Sequence, residues 1–476
     1  MAKQQPTAPL FGLPRKTLWT AAWIVVLGAA AFALHRYLNS SKTENRPAAS
    51  ASPSWSGPMA VASPPPLDEE GNLDGQDTAP RGTPRQARQP LDDPTFAMCP
   101  FYGALRKLER DKGEGAKVRV IHYGDSILTT DQLSGAIRRK LQARFGDGGH
   151  GFVLLGKPWS WYHHRDVVHG ANQKWAVHPL TSAPTHDGLM GLGAVAFESS
   201  ERNAAAWVGT VDEGNFGRTV STFDISYLTQ PGGGTLEIYI DEKLKESLAT
   251  AADEKQVVHH TVTVPEGPAK LTVKTRGDGP VRVFGAVLEN DRPGVVYDSL
   301  AVNGARISNF ERFDERHFQS ELQNRKANMA VIMIGANEGN NDALSLGAYK
   351  NQLKAVLSRI RVALPDAACL VMGPLDQATY GEGGVLESKK MPKKLTRAQK
   401  EIALEVGCAF FDTFSAMGGT GSMPKWAQRG LVGGDFIHPS ESGSRRIGNW
   451  LGEAILAGYD NFVLNGESCE SNATSL

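Results

Sequence analysis

Val118-Arg119-Val120-Ile121-His122-Tyr123-Gly124-Asp125-Ser126 starts as a short apolar run and ends in a glycine, a carboxylate and a hydroxyl. A helical pattern follows at once, through Ala136, Leu141 and Phe145. The same rhythm returns downstream. Residues 294–302 and 329–334 read as strands, 346–363 as a helix, and 368–372 and 408–411 as strands separated by a helix near 397–405. A last helix is expected over 442–456. Continuous apolar strands alternating with helices predict a parallel sheet covered on both faces, a three-layer α/β/α fold. Ligands of such a sheet sit beyond the C-terminal ends of its strands.

Between the first two strands, residues 159–292 keep a different rhythm. Thr222-Phe223-Asp224-Ile225-Ser226-Tyr227 and Thr235-Leu236-Glu237-Ile238-Tyr239-Ile240 alternate apolar with polar residues and are joined through Pro231-Gly232-Gly233-Gly234. Residues 260–264, 269–274 and 281–287 continue the alternation. Short alternating strands with turns this close predict an inserted antiparallel β-sandwich or jelly roll. The α/β domain is therefore expected in two parts, 95–158 and 293–460, with a polar tail at 461–476.

The amino-terminal end differs from both. After a short tail (1–16), residues 17–34 carry no charge, and 17–36 reads as a transmembrane anchor that exports the rest of the chain. Ten of the 27 prolines fall between Pro47 and Pro94, among Ser, Ala and Gly, so 37–94 reads as a disordered tether. The expected location is the inner membrane, single-pass, with the folded part in the periplasm or outside the cell. The 51 basic and 51 acidic residues cancel, and no dense basic block occurs, which argues against nucleic acid as a partner.

The strand ends carry the chemistry. Gly124-Asp125-Ser126 places a hydroxyl on a strand-to-helix turn, Asn303-Gly304 ends the second strand, and Gly335-Ala336-Asn337-Glu338 ends the third. Asp435-Phe436-Ile437-His438-Pro439 precedes the last helix, with Asp and His three apart. That spacing can set a carboxylate against one imidazole nitrogen and leave the other free. In this order the four blocks resemble the SGNH, or GDSL-type, hydrolase family. The resemblance implies Ser126 as nucleophile, His438 as base and Asp435 as its orienter, with Ser126 (backbone amide), Gly304 and Asn337 as an oxyanion hole. Glu338 stands where the family usually has Asp. Residues 133–146, the segment from Val296 to Ala305 and the Gly-x-Asn-Glu block look like the envelope branch of the family, which includes peptidoglycan O-acetylesterases with a carbohydrate-binding-like β-domain. The implied substrate is an O-acylated envelope glycan such as peptidoglycan. Acyl transfer by the same triad, or non-catalytic glycan binding on this scaffold, are the alternatives.

No cofactor is expected, and His163, His164 and His169 sit in a loop without a carboxylate at helical spacing, so no metal is assigned. Trp159 and Trp161, which share a face if their segment is extended, are the expected sugar-stacking residues. Cys369 and Cys408, in apolar strands, read as inert core thiols. Cys99 and Cys469, at the two ends of the folded part, are expected to form a disulfide in an oxidising compartment.

Overall fold

The computed structural model describes residues 87–469 other than Lys112 and Glu114. The expected anchor at 17–36 lies outside the described residues. Among those described, no helix is long and apolar enough to cross a membrane.

Strand β1 (Lys117–Gly124) is followed by β2 (Gly151–Leu154), β3 (Val168–Ala171), β4 (Ala176–Pro179), β5 (Val195–Ser199), β6 (Ala205–Gly209) and β7 (Val220–Thr229). Next come β8 (Thr235–Ile240), β9 (Lys243–Ala249), β10 (Gln256–Gly267), β11 (Lys270–Thr275) and β12 (Val281–Glu289). The chain returns through β13 (Gly294–Ala301), β14 (Met329–Met333) and β15 (Ala368–Met372). A small antiparallel ribbon, β16 (Ala378–Tyr380) with β17 (Leu386–Ser388), precedes β18 (Ala409–Phe411).

β13-β1-β14-β15-β18 form a five-stranded parallel sheet. Successive side chains of a strand point to opposite faces, and β1 shows why both faces need helices. Val118 and Val120 join Ile137 and Leu141 of helix Gln132–Phe145 and Ile447 and Leu451 of helix Glu441–Leu464. Ile121 and Tyr123 face the other way, toward Phe318 and Leu322 of helix Glu315–Arg325. The last helix starts where Ser440 caps it, its hydroxyl accepting from the Gly443 amide at 3.3 Å.

The insertion builds two antiparallel sheets, β10-β7-β12-β5-β4 with β2 paired to β12, and β3-β6-β11-β8-β9. Phe223 and Ile225 of one and Leu236 and Ile238 of the other lie in the same apolar cluster as Ile121 and Tyr123. The Tyr123 hydroxyl also donates to the Leu192 carbonyl at 2.8 Å. The insertion and one face of the parallel sheet thus share a core. β2 places the start of this antiparallel region ahead of residue 159.

Two expectations are corrected. Residues 87–94, assigned to the tether, are docked: Asp92 and Phe410 exchange backbone hydrogen bonds at 2.8 and 2.9 Å, and Leu91 packs on the core. β18 is an edge strand, and its unpaired backbone groups take a partner from whichever segment lies alongside. Cys369 and Cys408 are not separate thiols but a disulfide. The parallel register pairs Leu370 with Ala409, so the cysteines one residue earlier face each other, with Cα atoms 4.6 Å apart. Cys99 and Cys469 are joined as expected.

Candidate active site

β1 ends at Gly124, and Ser126 opens a short 3-10 turn, so its amide has no intrahelical acceptor. Asp125 shapes this turn. Its Oδ1 accepts from the Ile127 amide at 3.1 Å, while Oδ2 reaches across the sheet to the amides of Gly335 (3.1 Å) and Ala336 (2.9 Å). The nucleophile turn is thereby tied to the start of the short helix Ala336–Gly339 that carries Asn337. Sequence reading gave Asp125 no role, although it stood inside the motif.

The Asp435–His438 turn is folded by its own carboxylate. Asp435 Oδ1 accepts from the amides of Ile437 and His438, both at 3.0 Å, and Phe436, directly after Asp435, takes a left-handed φ of 55°. The other oxygen, Oδ2, is 2.6 Å from His438 Nδ1, and His438 Nε2 is 2.7 Å from Ser126 Oγ. Burial pushes the Asp435 carboxyl up, but the His438 amide and ring and the Ile437 amide outweigh it and hold it below its ordinary value. Ionised, it only accepts, so His438 Nδ1 carries the proton. Nε2 then offers its lone pair, and the Ser126 hydroxyl donates to it.

Ser126 and His438 line an open cavity of ≈ 270 Å³ with Thr129, Thr130, Trp161 and Asn303. Gly304 stands on an adjoining loop and Asn337 in the short helix Ala336–Gly339. Gly304 has a φ of 73°, which favours glycine, and a Cβ there would meet nothing within 4 Å. Asn337 Nδ2 donates to the Ala305 carbonyl at 2.9 Å, and Glu338 Oε1 accepts from the Ile307 amide at 2.8 Å. Two adjacent side chains therefore stitch the Gly304 loop to the short helix Ala336–Gly339. Glu338 Oε2 has no partner among the described residues, and burial raises its carboxyl to about 7, helped by nearby Asp125.

The two expected sugar-stacking tryptophans part company. The segment is a turn, closed by the Tyr162 amide on the Trp159 carbonyl at 3.0 Å, instead of the extended run that would put both on one face. Trp161, 52% exposed, lines the Ser126 cavity, whereas Trp159 lines a neighbouring cleft. Thr129, Thr130 and Asn303 were missed as cavity residues, because nothing in their spacing marks a wall shared by two separate loops.

Asp131, His150 and His164 are the described residues that gather most like metal ligands, each with one candidate ligand atom within 4.8 Å of the others. Asp131 is already saturated. Its oxygens accept from Ser134 (2.7 Å), Arg138 (3.1 and 2.8 Å) and the Arg165 amide (3.0 Å). His150 Nε2 and His164 Nδ1 lie 3.0 Å apart and bond each other. Burial lowers both imidazoles, His164 to about 4, so the pair is neutral. The cluster is a buried hydrogen-bonded junction.

A strand-ending serine bonded to a carboxylate-held histidine, on a five-stranded parallel sheet, is the site of an SGNH-type hydrolase. Residues 265–446 match the model of the GDSL-like lipase/acylhydrolase family, a span that holds Gly304, Asn337, Asp435 and His438 but not Ser126, which the insertion separates from them. The chain carries a GDSL-like lipase/acylhydrolase domain and is a hydrolase of the esterase class. Among solved structures, a peptidoglycan O-acetylesterase is similar, 21% identical over 78% of this chain and 99% of its own, with a TM-score of 0.66. That likeness shows the shared fold. A family two carbohydrate esterase from Clostridium thermocellum is 12% identical over 62% of this chain and 98% of its own, but its TM-score of 0.25 carries no argument. No curated protein matches by sequence.

Proposed function

We propose that this protein is an exported serine esterase that removes O-acetyl groups from a cell-envelope glycan such as peptidoglycan. The observation that carries the reading is the hydrogen-bonded relay Asp435–His438–Ser126 opening onto a cavity walled by an exposed indole. His438 takes the hydroxyl proton as Ser126 Oγ attacks the ester carbonyl. Oxygen then bears the charge of the tetrahedral adduct, near the Ser126 amide, Gly304 and Asn337. His438 returns the proton to the departing sugar hydroxyl, and water repeats the sequence on the acetyl-enzyme. Two disulfides support folding in an oxidising compartment. An anchor at 17–36 would hold the enzyme at the inner membrane with this domain in the periplasm.

The purified full-length protein should release acetate from O-acetylated peptidoglycan and hydrolyse an aryl acetate, and Ser126→Ala should abolish both. Turnover of the aryl ester without any acetate release from the glycan would overturn the glycan assignment. Persistence of both activities in Ser126→Ala would overturn the triad.

A further inference from the structure

Two residues before the indole that walls the Ser126 cavity, Trp159 faces a second cleft of ≈ 320 Å³. Trp175 forms its other indole wall, with Val177 and Phe197 also lining it. Both sides are held in place. On one, the Tyr162 ring meets Trp159 nearly edge-on at 6.4 Å and its hydroxyl accepts from the Leu154 amide at 3.1 Å. On the other, Asn172 is locked by donating to the Asn203 carbonyl (2.7 Å) and accepting from the Ala205 amide (3.1 Å).

The rim is polar and uncommitted. Lys157, Ser160 and Gln173 line the cleft, are exposed, and make no hydrogen bond among the described residues. The Trp175 indole N–H is buried without an acceptor. Lys157 is the one charged residue among those lining it. Apolar faces flanked by free donors, with one cation at the edge, fit a pyranose ring bearing hydroxyls and an acidic substituent.

We propose that this cleft is a second sugar subsite, which binds a neighbouring sugar of the same glycan chain whose acetyl ester lies at Ser126. This rests on the glycan-esterase reading and names a substrate-binding region for it. Two residues span at most ~7 Å of chain, so one short turn carries both indoles, Trp161 on the Ser126 cavity and Trp159 on the second cleft. One turn therefore supplies an aromatic contact to each of two adjacent units. A small aryl acetate reaches only the Ser126 cavity, whereas a polymer engages both.

The test uses Trp159→Ala and Lys157→Gln in the full-length protein. For Trp159→Ala, KM for O-acetylated peptidoglycan strands should rise about tenfold with kcat little changed, and aryl acetate kinetics should stay within about twofold. Lys157→Gln should raise KM for the acidic peptidoglycan strands and leave that for neutral acetylated xylan unchanged. Titration of soluble peptidoglycan fragments into Ser126→Ala, with and without Trp159→Ala, reads the subsite without turnover. Weaker binding on losing Trp159 supports the subsite even if the wild-type protein releases no acetate. Equal binding overturns it while leaving the esterase reading intact. A parallel fall in aryl acetate turnover would assign Trp159 a structural role and also overturn the proposal.

Discussion

The Asp435–His438 turn and the Asp131–His150–His164 cluster both set an aspartate beside histidine, and they do opposite things. Asp435 and His438 sit at the sheet rim with side chains 49% and 41% exposed, and Asp435 spends half of its hydrogen-bonding capacity on its own turn. Asp131 lies beneath that rim, fully buried beside a neutral pair of imidazoles, with Arg138 bridging it to Asp166. At the rim the imidazole keeps a nitrogen for the Ser126 hydroxyl. At the junction the carboxylate has four donors and the two rings answer each other. Residue type does not separate reactive from structural here. The difference lies in what the remaining imidazole nitrogen faces: His438 Nε2 meets the Ser126 hydroxyl at the open rim, whereas His150 Nδ1 is buried with no partner among the described residues, at a cost of ~1–3 kcal/mol.

The comparison breaks most visibly if the rim proves structural. Ser126→Ala should lower turnover by ~10⁴–10⁶ with the melting temperature unchanged, and Asp435→Asn should lower it by up to ~10⁴, because an amide favours the wrong imidazole tautomer. Near-normal rates in Asp435→Asn would leave Asp435 as a turn former only. At the junction the balance reverses. Asp131→Asn strips a full charge from buried Arg138, and chemical denaturation should show a loss of about 3–5 kcal/mol, with aryl ester turnover of the folded protein nearly kept. A variant of normal stability but no activity would move the junction into the catalytic machinery.

Glu338 lies between the two cases, buried like the junction yet beside Asn337. Its carboxyl is raised from 4.5 to about 7, so the folded state holds a proton that the unfolded state releases at lower pH. The contribution of this group to stability is therefore fully present below about pH 4.5 and falls by roughly 3 kcal/mol as pH rises through about 7. Glu338→Gln should remove that slope, gaining ~1–3 kcal/mol at pH 8 and nothing at pH 4. Parallel pH–stability curves for the two proteins would reject the assignment. The smallest effect concerns neither region. Trimming the chain to begin at residue 87 should leave the melting temperature unchanged, whereas trimming to 95 should lower it by a few degrees through loss of the Asp92–Phe410 pairing.

The alternation of strands and helices, the antiparallel character of the insertion, and the blocks around Ser126, Gly304, Asn337 and His438 were all legible along the chain. Each is a local pattern: a side-chain period of two or of 3.6, or a turn whose partners lie within three residues, as Asp435 and His438 do. The remaining features were decided only in three dimensions. Trp159 and Trp161 face different clefts because an i, i+3 backbone bond curls their segment. Cys369 meets Cys408 because the parallel register sets their neighbours Leu370 and Ala409 side by side. Residues 87–94 leave the expected tether because β18 has an open edge. Asp125, unremarked within its motif, holds the Gly335–Ala336 loop from 210 residues away. Such pairings depend on which strands become neighbours, and that is set by the burial of the whole sheet, not by the spacing of residues along it.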